Sequence, residues 1–351
     1  MQHNFILTDV MKTGNHNKLE DFINFHSLPD QKFDYTGEYY TLHNFDLDSY
    51  DRKFAIVDCR KENSRIADNA EFMTELKKRC DLLHSQGFVF IKANPWESLD
   101  NINNNTQYPE IEIEHIKWTG DVSWFWFYMY EKHLNNKFKF THDHFGSYWH
   151  KKCDFLYLNK QSRDHRVSLY NKLLKENVLA NSLYTNWPTR KLPPEYELPW
   201  AQDYPQHGMD QDITEMPYID TVCSIVSETN DNDYEVFMTE KIWKPIMAQH
   251  VFVVHGNYLY LQKLREIGFK TFGSYLDESY DLEQDPNKRI DKIVSLCKEL
   301  KTKKWQDIYL QTKALRQHNY DTMFNKEKLS AEVNKTLKLF LEFADSSQVS
   351  S

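Results

Sequence analysis

The chain has 351 residues, with 43 Lys and Arg against 52 Asp and Glu and a formal net charge of -9. That length exceeds what one hydrophobic core usually supports, so two domains are expected, and an apolar fraction of 40% is enough to fill both. The acidic balance disfavours a sequence-independent hold on nucleic acid, which needs clustered Lys and Arg.

From the N-terminus, Met1 to Lys12 has neither a basic flank nor a small-residue cleavage site, and no apolar stretch reaches the roughly 20 residues of a membrane span. Phe54 to Asp58 reads as a short buried strand, Asn69 to Ser85 as a helix and Gly87 to Lys92 as a second strand, the beginnings of an α/β layer. Glu97 follows that strand and is a candidate general base, because proton abstraction from a hydroxyl needs a carboxylate or imidazole within hydrogen-bond reach. The Asn-rich stretch 101–105 reads as a loop, and the aromatic run Trp118 to Tyr130 as core packing. His142 and His144 are spaced to point the same way on a strand, yet nothing nearby completes a recognised zinc set, so a polar loop is the simpler account.

Lys152 to Asn159 predicts a strand, followed by a polar loop bearing Arg163 and Arg166 and an amphipathic helix from Val167 to Glu176. Arg166, or failing that Arg163, could meet phosphate oxygens, since guanidinium is always charged and offers a fork of donors. The Pro-rich segment 187–217 shows little periodicity and reads as a long ordered loop or lid.

Residues 218–257 are the most informative. Val222 to Val226 suits a strand buried on both faces, Thr239 is placed to cap a helix through Ala248, and Val251 to Val254 is a second buried strand. In open α/β sheets ligands lie outside the carboxyl ends of strands, which puts Glu228, Glu240 and Lys241 at the expected edge. A carboxylate there can take ribose hydroxyls, and an ammonium beside a helix start can neutralise phosphate. Asp231-Asn232-Asp233 also follows the first strand and sustains a runner-up in which Mn2+ bridges donor phosphates, although no metal is required or expected. From Pro286 to Ala344 the pattern is nearly all helical, with Ile290, Ile293, Val294 and Cys297 on one face and Leu329, Val333, Leu337 and Phe340 on another. Five scattered cysteines without C-x-x-C spacing favour reduced thiols and a cytoplasmic location.

These segments resemble the donor-binding motif of glycosyltransferases of the α1,3-fucosyltransferase type. The family's Phe-Glu-Asn, Asp-Tyr, Thr-Glu-Lys, Ala-Gly-Thr and Val-Pro-Val-Val-x-Gly elements correspond to Ser227-Glu228-Thr229, Asp233-Tyr234, Thr239-Glu240-Lys241, Ala248-Gln249-His250 and Val251 to Gly256. Departures are an extended loop before Thr239, Gln249-His250 for Gly-Thr, Phe252 for Pro, and Pro245 inside the helix. The resemblance implies two Rossmann-like lobes of the GT-B type with a cleft between them. It divides the chain into an acceptor-side domain at 1–148, a nucleotide-sugar-binding domain at 149–325 and a C-terminal helix at 326–351 that crosses back to the first domain. It implies donor-binding roles for Arg163, Arg166, Glu228, Tyr234, Glu240 and Lys241, with Glu97 as base, a nucleotide-diphosphate sugar as donor, and a glycan or other hydroxyl acceptor. The soluble bacterial and viral members are the closer comparison. The alternatives are a DNA-base glycosyltransferase and a non-catalytic nucleotide-binding or virion-associated protein.

Overall fold

The computed structural model describes residues 3–9, 31–38, 44–58, 70–93, 122–134, 146–160, 162–186, 192–196, 213–231 and 236–335. The chain divides into two compact units, residues 1–128 with 327–351, and residues 129–326. The described elements are α/β in both units, and no helix among the described residues is long and apolar enough to cross a membrane.

The first unit carries a parallel sheet of β1 (His3–Asp9), β2 (Gln31–Glu38), β3 (Arg52–Asp58) and β4 (Val89–Ala93), in the order β2-β1-β3-β4. The strands expected from Phe54 and Gly87 are there, shifted by about two residues, which is within the usual uncertainty of an element boundary. β1 and β2 have no counterpart in the expectation: His3-Asn-Phe-Ile-Leu-Thr-Asp reads too polar for a buried strand, and pairing with β3 supplies what local pattern does not. Helix α1 (Ala70–Ser85) crosses between β3 and β4. The described part of the aromatic run packs as core, as expected: α2 (Val122–Leu134) buries Phe125, Trp126, Phe127, Met129 and Tyr130. Aromatics of this size dominate core burial.

The second unit repeats the same strand order with β5 (Cys153–Tyr157), β6 (Ser182–Tyr184), β7 (Thr221–Ser227) and β8 (Val251–His255), as β6-β5-β7-β8, all parallel. Helix α3 (Asp164–Lys175) links β5 to β6, α4 (Glu215–Asp220) leads into β7, and α5 (Glu240–Met247) links β7 to β8. Right-handed crossovers that run in opposite directions along one sheet put their helices on opposite faces, so α3 and α5 lie on opposite sides of it, with α5 against β7 and β8. Every residue of β7 and β8 is accordingly buried, as a continuous apolar run in a parallel sheet requires.

Beyond β8 the chain is helical: α6 (Tyr260–Glu266), α7 (Pro286–Thr302), α8 (Trp305–Gln311) and α9 (Lys313–Met323), with 326–335 also helical. α7 packs on α3 and α9 packs on α5. Ile290, Ile293, Val294 and Cys297 line the buried face of α7, and Leu329 and Val333 are buried further on. Leu337 and Phe340 lie outside the described residues, as does most of 187–217.

Candidate functional site

The second sheet reverses direction at β5 and β7. From β5 the chain turns outward to β6, and from β7 it turns the other way to β8, so the loops after these two central strands diverge and leave a crevice at their carboxyl ends. Arg163 and Arg166 come to it from the β5–α3 connection, and Glu228, Glu240 and Lys241 from the β7–α5 connection. The structure brings these five together through Glu228 and the Thr229–Asn230 turn. Glu97 and Tyr234, together with His142 and His144, lie outside the described residues.

Glu228 is wholly buried at the end of β7. Its carboxylate accepts the Thr239 N–H at 3.2 Å, the Thr239 hydroxyl, and the Tyr260 hydroxyl at 2.7 Å. Burial pushes this carboxyl above the usual range, against the opposing charge of Lys241. Tyr260 reaches it because Gly256 has no side chain: a Cβ there would stand 2.6 Å from the Tyr260 ring. Glu228 therefore holds the start of α5 in place and is not itself presented to a ligand.

Thr239, also fully buried, caps α5 by accepting the Lys241 N–H at 3.5 Å. The Lys241 ammonium donates to Glu240 Oε1 at 2.7 Å, Thr239 Oγ1 at 3.0 Å and Thr229 Oγ1 at 3.3 Å. It keeps 26% of its side-chain surface exposed, and Glu240 keeps 11%. Burial alone would raise the Glu240 carboxyl, but Lys241 and Lys244 outweigh it and hold Glu240 below the ordinary range. The result is a charged acid and ammonium, side by side on the first turn of a helix that ends a buried strand. Pro245 lies inside that helix without breaking it, and the His250 N–H reaches the Pro245 carbonyl at 2.9 Å to close the end.

The two arginines are used differently. Arg166 is buried, and its Nε and Nη2 both donate to the Glu228 carbonyl, at 3.1 and 2.8 Å. Arg163, half-buried at the start of α3, donates through Nη1 to the Thr229 carbonyl at 3.0 Å and to Asn230 Oδ1 at 3.4 Å. Sequence reasoning favoured Arg166 for phosphate; in the fold Arg166 braces the loop backbone from behind, and Arg163 is nearer the surface.

Two residues that the sequence reading passed over, His165 and His255, sit beside them with Asp231, which it weighed only in a metal-bridging runner-up. His165 and His255 stack edge to face with ring centroids 5.5 Å apart, and Asp231 faces both, Oδ1 at 3.6 Å from His165 Nδ1 and Oδ2 at 3.8 Å from His255 Nε2. Burial depresses both imidazoles, His255 to about 3, and the neighbouring His165, Arg289 and Arg166 charges push His255 the same way. Arg289 of α7 ties the region down with Nη1 on the Gly256 carbonyl at 2.9 Å and the Asp231 carbonyl at 3.2 Å. A polar residue closing each buried strand was the available signal: His255 ends β8, and Asp231 follows β7 by four positions. Arg289 and Tyr260 carried none, because only the tertiary fold brings them here. Among the described residues no group of three His, Cys, Asp or Glu side chains closes around a point as metal ligands do.

No protein-family model, curated protein or solved structure matches the chain.

Proposed function

We propose that the chain is a glycosyltransferase of the two-lobed GT-B type, akin to the α1,3-fucosyltransferases, which moves a sugar from a nucleotide-diphosphate donor to a glycan or other hydroxyl acceptor. The observation that carries this reading is the Glu240–Lys241 pair: a partly exposed ammonium on a helix start, 2.7 Å from a carboxylate held ionised, at the switch point of a parallel sheet. An acid of this kind suits the ribose hydroxyls. The ammonium and Arg163 suit the diphosphate, and the N–H groups at the start of α3 add a favourable dipole there, since Arg163 at its cap position offers no side-chain hydrogen bond to them.

In this reading Glu228 and Arg166 shape the loop, and Lys241 and Arg163 neutralise the charge that builds on the departing diphosphate. Electrostatic stabilisation of this sort is usually the largest single contribution to such a reaction, and losing one preorganised donor costs on the order of 100- to 1,000-fold in turnover. The reaction takes place in the cytoplasm, in keeping with scattered cysteines of which the four described are free.

The test is a thermal-shift series with nucleotide sugars of different base and sugar, followed by release of nucleoside diphosphate from whichever donor stabilises the chain. The wild type should be stabilised by at least one donor and should hydrolyse it slowly. Lys241→Ala should lower turnover by roughly 100-fold or more at a similar melting temperature. Binding without turnover would leave a nucleotide-binding module, and no binding to any donor would refute the assignment.

A further inference from the structure

Besides the buried Glu228, the crevice contains a carboxylate that donor binding does not use. Asp231 lies two residues past Thr229, whose hydroxyl is 3.3 Å from the Lys241 ammonium. Two residues of extended chain span at most about 7 Å, so Asp231 is close to where a diphosphate on Lys241 would carry its sugar. Its side chain keeps 21% of its surface, whereas the imidazoles behind it keep 12% for His165 and none for His255. The carboxylate is thus the part of the trio that a substrate can touch.

Hydrogen bonding fixes the proton of His165. A carbonyl oxygen only accepts, so the 3.1 Å contact between His165 Nε2 and the Glu228 carbonyl requires the proton on Nε2. In the neutral ring Nδ1 then carries a lone pair, and it faces Asp231 Oδ1 at 3.6 Å. On the other side His255 Nδ1 meets Ser227 Oγ at 3.4 Å, while Nε2 has no hydrogen-bond partner and lies 3.8 Å from Oδ2. The lone pair of His165 Nδ1 therefore faces a carboxylate across a gap somewhat longer than a hydrogen bond, with His255 Nε2 at a similar distance from its other oxygen. Catalytic hydrogen bonds are often long before substrate is bound and tighten afterwards. The arrangement has a place for one more proton.

We propose that Asp231, backed by His165, removes the proton from the acceptor hydroxyl. The inference rests on the glycosyltransferase reading and deepens it. As the acceptor oxygen bonds to the anomeric carbon of the donor, the bond from that carbon to the diphosphate oxygen breaks and its electron pair leaves with the diphosphate. The hydroxyl proton passes to Asp231 and on to His165 Nδ1, where the imidazolium is held between the Asp231 carboxylate and the Glu228 carbonyl. Asp231 is the catalytic residue and His165 the positioning one.

The groups facing His165 set when it is available. Arg163 and Arg166 on its own helix and the ring of His255 from β8 surround it, opposed by Asp231 and the Glu228 carbonyl from the β7 loop. Burial with the arginines keeps the ring neutral near pH 7 and ready to accept. Protonation in mild acid fills Nδ1 and stops the relay, which predicts an acidic limb in the pH profile of kcat/KM.

The experiment uses the full chain, the donor that gives the largest thermal shift, and transfer to an oligosaccharide or water. Asp231→Asn should lower kcat by roughly 100- to 10,000-fold, the span attributed to a positioned acid or base, with donor-induced stabilisation kept. His165→Gln, which can still donate to the Glu228 carbonyl, should lower kcat about tenfold and flatten the acidic limb. Wild-type kcat and an unchanged profile in both variants would overturn the proposal while leaving the donor site standing. So would loss of donor-induced stabilisation in Asp231→Asn, which would make Asp231 a donor contact, or a Mn2+ requirement abolished by His165→Gln, which would make the histidines ligands. If Asp231→Asn does not fold, His165→Gln alone decides through its pH profile. A wild-type chain that neither binds nor turns over any nucleotide sugar overturns the glycosyltransferase reading and this inference together.

Discussion

At the scale of single residues the crevice is held by groups whose charge state the fold has chosen. His255 is the clearest case, because its imidazole falls from the ordinary value of 6.5 to about 3, chiefly through burial and further through His165, Arg289 and Arg166. A base whose folded pKa is depressed binds fewer protons in the native state than in the unfolded chain. Its contribution to stability is complete above about pH 6.5 and is lost as pH falls from there towards 3. At about 1.4 kcal/mol per pKa unit that contribution amounts to a few kcal/mol. Replacing His255 with Gln, which does not titrate, should therefore flatten the loss of stability between pH 6.5 and 3, as measured by urea unfolding at a series of pH values. An unchanged slope would mean that other groups govern the acid side.

At the scale of elements, the junction of β8 with α6 carries more than its sequence suggests. Gly256 allows the Tyr260 ring to lie against the backbone, and that ring delivers its hydroxyl to Glu228, which in turn fixes Thr239 at the start of α5. Gly256→Ala puts a Cβ 2.6 Å from Tyr260 Cδ2 and forces the ring away. Overpacking of this kind typically costs about 1–3 kcal/mol. The expected outcome is a lower unfolding midpoint together with weaker donor-induced stabilisation, since the Glu228 brace is lost with the ring. How legible these elements were depended on where their hydrophobic residues stand. Val222 to Val226 and Val251 to Val254 announced β7 and β8 because strands buried on both faces are apolar at every position, and Thr239 announced the start of α5 by its capping chemistry. β1 and β2 were not legible, because their mixture of polar and apolar residues becomes a strand only through pairing with neighbours distant in sequence. The same split runs through the site: Glu228, Glu240 and Lys241 lie in one short segment, whereas Arg289, about 50 residues beyond Lys241, reaches the loop only once α7 has packed.

At the scale of the whole molecule, sequence reading supplied the α/β class, but not the repetition of one strand order in both sheets. Pairing order depends on loop paths and sheet edges, and local periodicity records neither. The burial of the core also decides how the chain meets oxidants and thiol reagents. Cys80, Cys223 and Cys297 are buried and free, and Cys153 is free and half-buried. Burial raises all four thiols, Cys80 to about 11, so the reactive thiolate is scarce at neutral pH. Cys297 on α7 is close enough to Cys223 on β7 to push its thiol further up, so one core shields both. Labelling of the native chain with a maleimide, mapped by mass, should therefore find Cys153 before the other three. Cys223 and Cys297 should become reactive together, at the denaturant concentration where the second unit unfolds, and a reductant should leave the melting temperature unchanged. Early labelling of Cys223 without Cys297 would show that β7 opens independently of α7, and the crevice at the end of β7 would then lack the rigid support that its proposed chemistry needs.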